Sequence, residues 1–205
     1  MPPSSTVENY LKEVYLGVGR LPAGATLLPM GQLAAALGVA PGTATTMVKT
    51  LAESGLVEYE PYNGVRLTAA GTRLAVTVLR RHRLVELFLV QVMGMRWDEV
   101  HDEAEVLEHA MSDRLLDAID EELGRPARDP HGDPIPAADG SLVLPEAVVL
   151  AEAASGGRVV RISDRDPLLL RHLAAEGIVL DAVVSAERRA QLGEEALASI
   201  WVSAP

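Results

Sequence analysis

The sequence predicts a mainly α protein with a small β component: an N-terminal winged helix-turn-helix, a helical middle domain and a C-terminal small β-barrel. Three observations carry that prediction. The first 68 residues read helix, helix, short turn, helix, β-hairpin; the next stretch has apolar residues at helical spacing; and the last 60 or so mix Val/Ile-rich pieces with turns. Hydrophobic residues at 48% and charged ones at 23% match a folded globular chain rather than a disordered one.

The elements follow in order. Val7, Tyr10, Leu11, Val14 and Tyr15 recur at helical spacing, so a helix is expected from Thr6 to about Gly19, with Ser5 or Thr6 as N-cap. A second short helix spans Leu28 to Leu37 and stops at Gly38. Pro41 suits a first helical position, and Thr43 to Ser54 continues as a third helix closed by Gly55. Alternating stretches Leu56–Tyr59 and Val65–Thr68, joined through Pro61-Tyr62-Asn63-Gly64, form the hairpin. A long helix runs from Ala69 to Val92, another from Asp98 to Met111, and a third starts at Ser112 and ends near Leu123. Residues 124–141 carry four prolines and read as a tether. Beyond it, Arg158–Ile162 and Ile178–Val184 read as strands and Pro167–Glu176 as a helix.

Composition narrows the function. Cysteine is absent, which excludes disulfides, thiolate metal sites and cysteine nucleophiles. No apolar run approaches the roughly 18 residues of a membrane helix, and the N-terminus lacks a secretory pattern, so a cytoplasmic protein without a membrane partner is expected. One Phe, two Trp and four Tyr are too few for a base-stacking surface. The net charge of −11 disfavours nucleic acid until it is divided: residues 1–83 carry eight basic and five acidic side chains, whereas the remainder is strongly acidic. The N-terminal third is therefore able to face phosphates.

Two constellations carry chemistry. In the third helix Ala44, Val48 and Leu51 face inward, which turns Pro41, Gly42, Thr43, Thr46 and Lys49 outward. Short hydroxyl side chains near a helix N-terminus suit base edges and phosphates in a major groove, and Lys49 supplies a phosphate charge. An ordinary helical hairpin with a polar face is the alternative, and the β-hairpin directly behind it favours double-stranded DNA. In the second constellation His82 and Glu86 stand at i and i+4. His101, Glu105, Glu108 and His109 form one stripe on the next helix. The alternative is a solvated acidic face with His–Glu pairs, but two such stripes on consecutive helices favour a divalent cation, which offsets the cost of gathering these charges. The donors are oxygen and imidazole nitrogen only, which suits Mn²⁺ or Fe²⁺ geometrically. His131 reads as a loop residue whose neighbours fix turns, and His172 as a surface residue. A di-metal oxidase needs Glu-x-x-His on two helices, a spacing not present here, so an enzyme is not expected.

Taken in this order, the segments Arg81-His82-Arg83-Leu84-Val85-Glu86, Val100 through His109, Met111-Ser112-Asp113 and Asp129-Pro130-His131-Gly132-Asp133-Pro134-Ile135-Pro136 resemble the diphtheria-toxin-repressor family of metal-dependent transcriptional regulators. Within it the chain is most similar to the manganese-transport regulators that keep a C-terminal domain. The resemblance implies a homodimeric, Mn²⁺-activated repressor that binds a palindromic DNA operator, with an iron-dependent regulator of the same family as the alternative. It implies a winged helix-turn-helix over residues 1–73 and a metal-binding and dimerisation domain over 74–123. The tether spans 124–141, and a barrel similar to the Src-homology-3 and ferrous-transport A (FeoA-like) domains spans 142–205, abbreviated after Leu180. Two metal sites per subunit are implied: an effector site of Asn9, Glu105, Glu108 and His109, and an ancillary site of His82, Glu86 and His101 completed by Asp166. Metal at the effector site would set the spacing of the two recognition helices in the dimer. The chain departs from the manganese branch at Asn9, where that branch has Asp, and at Lys12, where some members have Glu. A small-molecule-responsive winged-helix regulator is the reading without metal.

Overall fold

The computed structural model describes residues 4–22 and 24–203, and the chain divides into two compact units, Met1–Arg80 and Arg81–Pro205. The first unit opens with α1 (Ser5–Gly19), whose N-cap is Ser4 rather than Ser5 or Thr6; its Oγ accepts from Val7 N at 3.4 Å. Helix α2 (Met30–Ala36) starts two residues later than the apolar pattern suggests, because Leu28 is taken by a β-bridge to Val65. Helix α3 (Pro41–Glu53) begins on proline as expected, and β1 (Val57–Glu60) pairs antiparallel with β2 (Gly64–Leu67) to form the wing. Leu11, Val14, Leu28, Leu33, Val48, Leu51 and Val65 are among the side chains of one continuous hydrophobic core. That core leaves Pro41, Gly42, Thr43, Thr46 and Lys49 of α3 exposed, as the helical pattern predicts. The hydroxyl of Thr46 donates back to Gly42 O at 3.0 Å, so outward it offers a methyl and an acceptor.

Helix α4 (Ala69–Gln91) is long enough that the division between units falls within it. In the second unit, α5 (Val100–Leu107) and α6 (Asp113–Glu122) pack on it through two small clusters, one around Leu84, Leu116 and Ile119 and one around Val85, Val100 and Ala104. Helix α5 is shorter than expected. It ends at Leu107, so Glu108 is its C-cap and His109 lies in the turn that follows.

The Pro/Gly-rich segment is a correction. Residues 127–135 are not a loose tether but a folded loop: Ile135 N donates to Ala127 O, Asp129 N donates to Asp133 O, and Asp129 and His131 are buried. Gly132 sits at φ +90°, and a Cβ there would lie 2.1 Å from Val160 O, so this loop requires glycine. Proline and glycine shape a tight turn here rather than a flexible one.

The C-terminal part comprises β3 (Ala147–Val149), β4 (Gly157–Ile162), α7 (Pro167–Ala175), β5 (Val183–Val184), α8 (Ala186–Gln191), α9 (Glu194–Ser199) and β6 (Ile200–Ser203). The strands form an antiparallel sheet in the order β3-β6-β4-β5. The small β domain is present, but among the described residues its edge strands, three and two residues long, do not pair to close a barrel. Nor is it abbreviated after Leu180, since β6 lies inside the sheet and its Ile200 and Val202 are in the core. Among the described residues no helix is long and apolar enough to cross a membrane.

Candidate metal centre

Every candidate ligand except Asn9 lies in the second unit. Helix α4 presents His82 and Glu86 one turn apart, as their spacing requires. Helix α5 brings His101 and Glu105, and its C-cap brings Glu108. The loop supplies Asp129 and His131, and the segment between β4 and α7 supplies Asp164. Glu86 and Glu108 are fully buried, His82 is 5% exposed and His131 is 1% exposed. Such burial is costly for charged groups unless each is paired or bound to a cation.

Among the described residues, three groups of side chains place ligand atoms within 4.8 Å of one another: His82, Glu86, His101 and Asp164; His82, Glu105 and Glu108; and Glu86, Asp129 and His131. In the first, Glu86 Oε1 lies 3.1 Å from His82 Nε2 and 3.4 Å from His101 Nδ1, and Asp164 Oδ2 lies 3.3 Å from the same His101 nitrogen. In the second, His82 Nδ1 donates to Glu108 Oε2 at 2.6 Å and lies 4.0 Å from Glu105. His109 Nε2 is 3.3 Å from Glu108 Oε1. In the third, His131 Nε2 donates to Trp97 O at 2.7 Å, with its ring stacked on Trp97, which turns Nδ1 toward Glu86 at 3.8 Å. A hydrogen bond that fixes one imidazole nitrogen and leaves the other for a ligand is the usual support around a metal-binding histidine.

The electrostatics of the cluster match its geometry. Burial pushes the Glu86 carboxyl up, but His82, His101 and His131 around it hold it well below the ordinary range. The facing carboxylates of Asp164 and Glu86 raise His101 to about 10. Burial lowers His131, yet Glu86 and Asp129 outweigh it and raise the ring to about 9. Asp129, fully enclosed, is pushed up to about 8 by burial and by the neighbouring Glu86 and Asp133. Protons on these groups hold the place that a cation would take. The hydrogen bonding points the same way: Glu86 Oε1 and Oε2, His101 Nδ1 and His131 Nδ1 are buried with no hydrogen-bond partner, although carboxylate and imidazole face one another at ion-pair distance. An oxygen-and-imidazole set with unsatisfied lone pairs fits a divalent first-row ion.

The loop itself is clamped. Arg83 Nη2 donates to Asp133 Oδ1 at 2.9 Å and Nη1 to Pro134 O at 2.5 Å, and Arg161 Nε donates to Asp133 Oδ2 at 2.8 Å. Asp129 Oδ1 accepts from His131 N and Asp133 N. Ile162 N donates to His131 O at 2.8 Å, tying the loop to β4.

Of the residues singled out by sequence, His82, Glu86 and His101 are brought together, and Glu105 and Glu108 converge on His82. Asp166 is not at this cluster. Its carboxylate caps α7, accepting from Leu168 N and Leu169 N, and a side chain turned back onto its own helix does not reach across. The C-terminal residue beside His101 is Asp164, two positions earlier. The sequence pattern gives His131 a place in a turn only; the structure buries it against Glu86, together with Asp129. The signal for both is the Asp-Pro-His-Gly-Asp-Pro string, whose polar residues exceed what a turn needs. His172 is exposed, as expected. Asn9, in the first unit, has a buried Oδ1 with no hydrogen-bond partner.

Residues 4–65 match the iron-dependent repressor N-terminal DNA-binding domain, and residues 68–137 match the iron-dependent repressor metal-binding and dimerisation domain. The iron-dependent repressor IdeR of Mycobacterium leprae is 31% identical over 200 residues, covering 89% of this chain and 84% of that one. A solved manganese-dependent transcriptional repressor in complex with manganese is 42% identical, covers 97% of this chain and all of its own, and superposes with a TM-score of 0.89. The structure of ScaR with bound Zn²⁺ is 30% identical, covers 99% of this chain and all of its own, and has a TM-score of 0.79.

Proposed function

The chain belongs to the iron-dependent, or diphtheria-toxin, repressor family of metal-dependent transcriptional repressors, and on that premise we propose that it is a manganese-activated repressor of genes for metal-ion homeostasis. The observation that carries the choice of metal is the donor set. It consists of carboxylate and imidazole groups, with neither thiolate nor thioether in the three groups, and most of it is buried, where unmatched charge is costly. Similarity to a manganese-dependent repressor along nearly the whole chain supports the same reading.

Two ions per subunit are proposed. One is held by His82, Glu86, His101 and Asp164, with Asp129 and His131 adjoining through Glu86. The other is the effector ion of Glu105, Glu108 and His109, joined by Asn9; the resemblance supports Asn9 in that role, as does its partnerless Oδ1. Bound metal supplies the positive charge that these carboxylates lack, and by favouring one geometry of the DNA-binding unit it shifts the population toward the form that fits DNA. In a two-fold dimer that form presents two α3 helices to successive major grooves about 34 Å apart, hence a palindromic operator read by Pro41, Gly42, Thr43, Thr46 and Lys49. Such a regulator works in the cytoplasm, with DNA and a second copy of itself as partners, and performs no catalysis.

The test is a DNA-shift titration on the promoter of a manganese-uptake gene with Mn²⁺, Zn²⁺ and, under anaerobic conditions, Fe²⁺. Half-maximal binding at free Mn²⁺ in the micromolar range, with Fe²⁺ needing a higher concentration, is the expected outcome. Equal midpoints for Mn²⁺ and Fe²⁺ would leave a metal-dependent repressor without the manganese assignment.

A further inference from the structure

The wing of the first unit ends in a side chain that the fold does not use. Tyr62 is fully exposed, and among the described residues its ring and hydroxyl make no hydrogen bond or ring contact. Its backbone stands at φ +69°, in the left-handed region that a bulky residue avoids. The turn imposes this: Asn63 N donates to Glu60 O at 3.0 Å, with Pro61 and Tyr62 between them. Proline fixes a negative φ at the first central position, so a positive φ at the second gives a type II turn, where glycine is the usual choice. The other non-glycine residues at positive φ among those described have work inside the fold. Arg125 N closes α6 on Asp120 O, and Asp181 accepts from Arg128 and Arg158. The wing is also held firmly. Leu28 N donates to Val65 O at 2.8 Å and Val65 N to Leu28 O at 3.0 Å, and a Cβ on Gly64 would lie 2.4 Å from Leu28 O. At its base Leu56 N donates to Leu51 O at 3.0 Å and Thr68 Oγ1 to Gly55 O at 2.8 Å, which ties the hairpin to the C-terminal end of α3.

We propose that Tyr62 is a second DNA contact, laid against the sugar–phosphate wall of the minor groove beside the major groove that α3 enters; this rests on the DNA-binding reading above. A phenol suits that wall: its ring packs on deoxyribose carbons and its hydroxyl donates to a phosphate oxygen. A left-handed backbone kept by a residue that gains nothing from it inside the fold points to a use outside the fold. The carboxylates nearest the tip do not oppose phosphate approach freely, since both are engaged within the hairpin. Arg66 Nε donates to Glu58 Oε2 at 2.7 Å, and Asn63 Nδ2 donates to Glu60 Oε2 at 3.3 Å. Because the hairpin is bonded to α3, a ring seated on the backbone fixes how deeply and at what angle α3 lies in its groove. Tyr62 therefore positions the reading helix without reading bases itself. Being neutral, it releases no counterion, which separates it from Lys49 on α3.

The experiment compares full-length wild type, Tyr62→Gly and Tyr62→Phe in saturating Mn²⁺ on a duplex carrying the promoter of a manganese-uptake gene. Affinity is read by fluorescence anisotropy over a salt series, contacts by hydroxyl-radical cleavage of the DNA, and stability by thermal melting. Glycine accepts the left-handed backbone without penalty, so Tyr62→Gly should melt no lower than the wild type. It should bind DNA about tenfold more weakly, the scale of one hydrogen bond to a charged group, with an unchanged salt slope. It should also lose protection of the deoxyriboses along the minor groove beside each half-site. Tyr62→Phe, which keeps the ring and loses the hydroxyl, should fall between the two. Wild-type affinity and an intact protection pattern in Tyr62→Gly overturn the wing contact and leave α3 as the DNA reader. A melting temperature lowered in both Tyr62→Gly and Tyr62→Asn, the second also tolerant of this backbone, shows that the ring serves the fold and overturns the proposal. Absence of Mn²⁺-dependent binding by the wild type at any salt concentration overturns the DNA-binding reading and the wing contact with it.

Discussion

The two compact units each have an apolar core, and they differ in how many ligand-type side chains they bury together. The first gathers Leu, Val, Ala and Tyr in one core, with Glu8, Lys12 and Arg80 also among its buried residues, and keeps the polar face of α3 exposed. The second has an apolar core of its own in the C-terminal sheet domain but only small apolar clusters around α4, where it places Glu86, Glu108, Asp129, His82 and His131 among its buried residues. Burying apolar side chains stabilises a fold in any ionic condition, whereas buried carboxylates and imidazoles are stable only when matched by protons or cations. The contrast teaches where regulation resides: around α4 the sensing unit gathers buried carboxylates and imidazoles from three elements into one cluster.

The largest expected effect sharpens this contrast at single residues. Glu108→Ala or Glu105→Ala should abolish Mn²⁺-stimulated DNA binding while leaving the dimer intact by sedimentation, because both are proposed ligands of the effector ion and neither lies in an apolar cluster. A wild-type response in either variant removes that residue from the site.

Second in size is the pH dependence. In the metal-free protein His101 at about 10, His131 at about 9 and Asp129 at about 8 all sit above their ordinary values. The folded state therefore holds protons that the unfolded chain has released, and metal-free stability falls as pH rises from 7 toward 10. Metal must displace those protons, so Mn²⁺ affinity rises over the same range. Melting curves in chelator and in Mn²⁺ should accordingly diverge with increasing pH; parallel curves would contradict the charge-matching account.

A smaller, graded effect is expected at His82→Ala: a lower melting temperature in Mn²⁺ and partial rather than complete loss of activation, measured by paired melting and DNA-shift titrations. Metal that binds only the folded form adds stability with the logarithm of its concentration, so losing one of two ions removes part of that stabilisation. Asn9→Asp should shift the activation midpoint to lower Mn²⁺, because a carboxylate attracts a hard cation more strongly than an amide. An unchanged midpoint would mean that Asn9 is not a ligand. The smallest effect belongs to the first unit: Lys49→Ala should weaken binding to all DNA sequences alike and reduce the salt slope by about one, with no change in metal dependence.

How much of the molecule is legible in the sequence differs between the units as well. Winged-helix order, the outward face of α3 and the His82–Glu86 pairing follow from local periodicity, which needs only neighbours three or four residues apart. The shortness of α5 is not legible, because Glu108 and His109, where the helix gives way to a turn, carry no stop signal. Asp164 and Asp166 are equally acidic in sequence. Only the start of α7 at Pro167 decides between them, since the residue just before it is drawn into capping. His131 is hidden for a related reason: proline and glycine around it read as a flexible linker, while the arginines Arg83 and Arg161 that clamp Asp133 lie 50 and 28 residues away from it in the chain.

Hydrogen exchange of the full-length protein, in chelator and in saturating Mn²⁺, tests the central claim most directly, namely that the ion is held by the buried charges of the second unit. The account predicts a large gain in protection in the second half of α4, in α5 and in the 127–135 loop, with the slowest amides of the first-unit core, those around Leu33, Val48 and Leu51, unchanged. Equal gains in both units, or none in the 127–135 loop and α4, would contradict it.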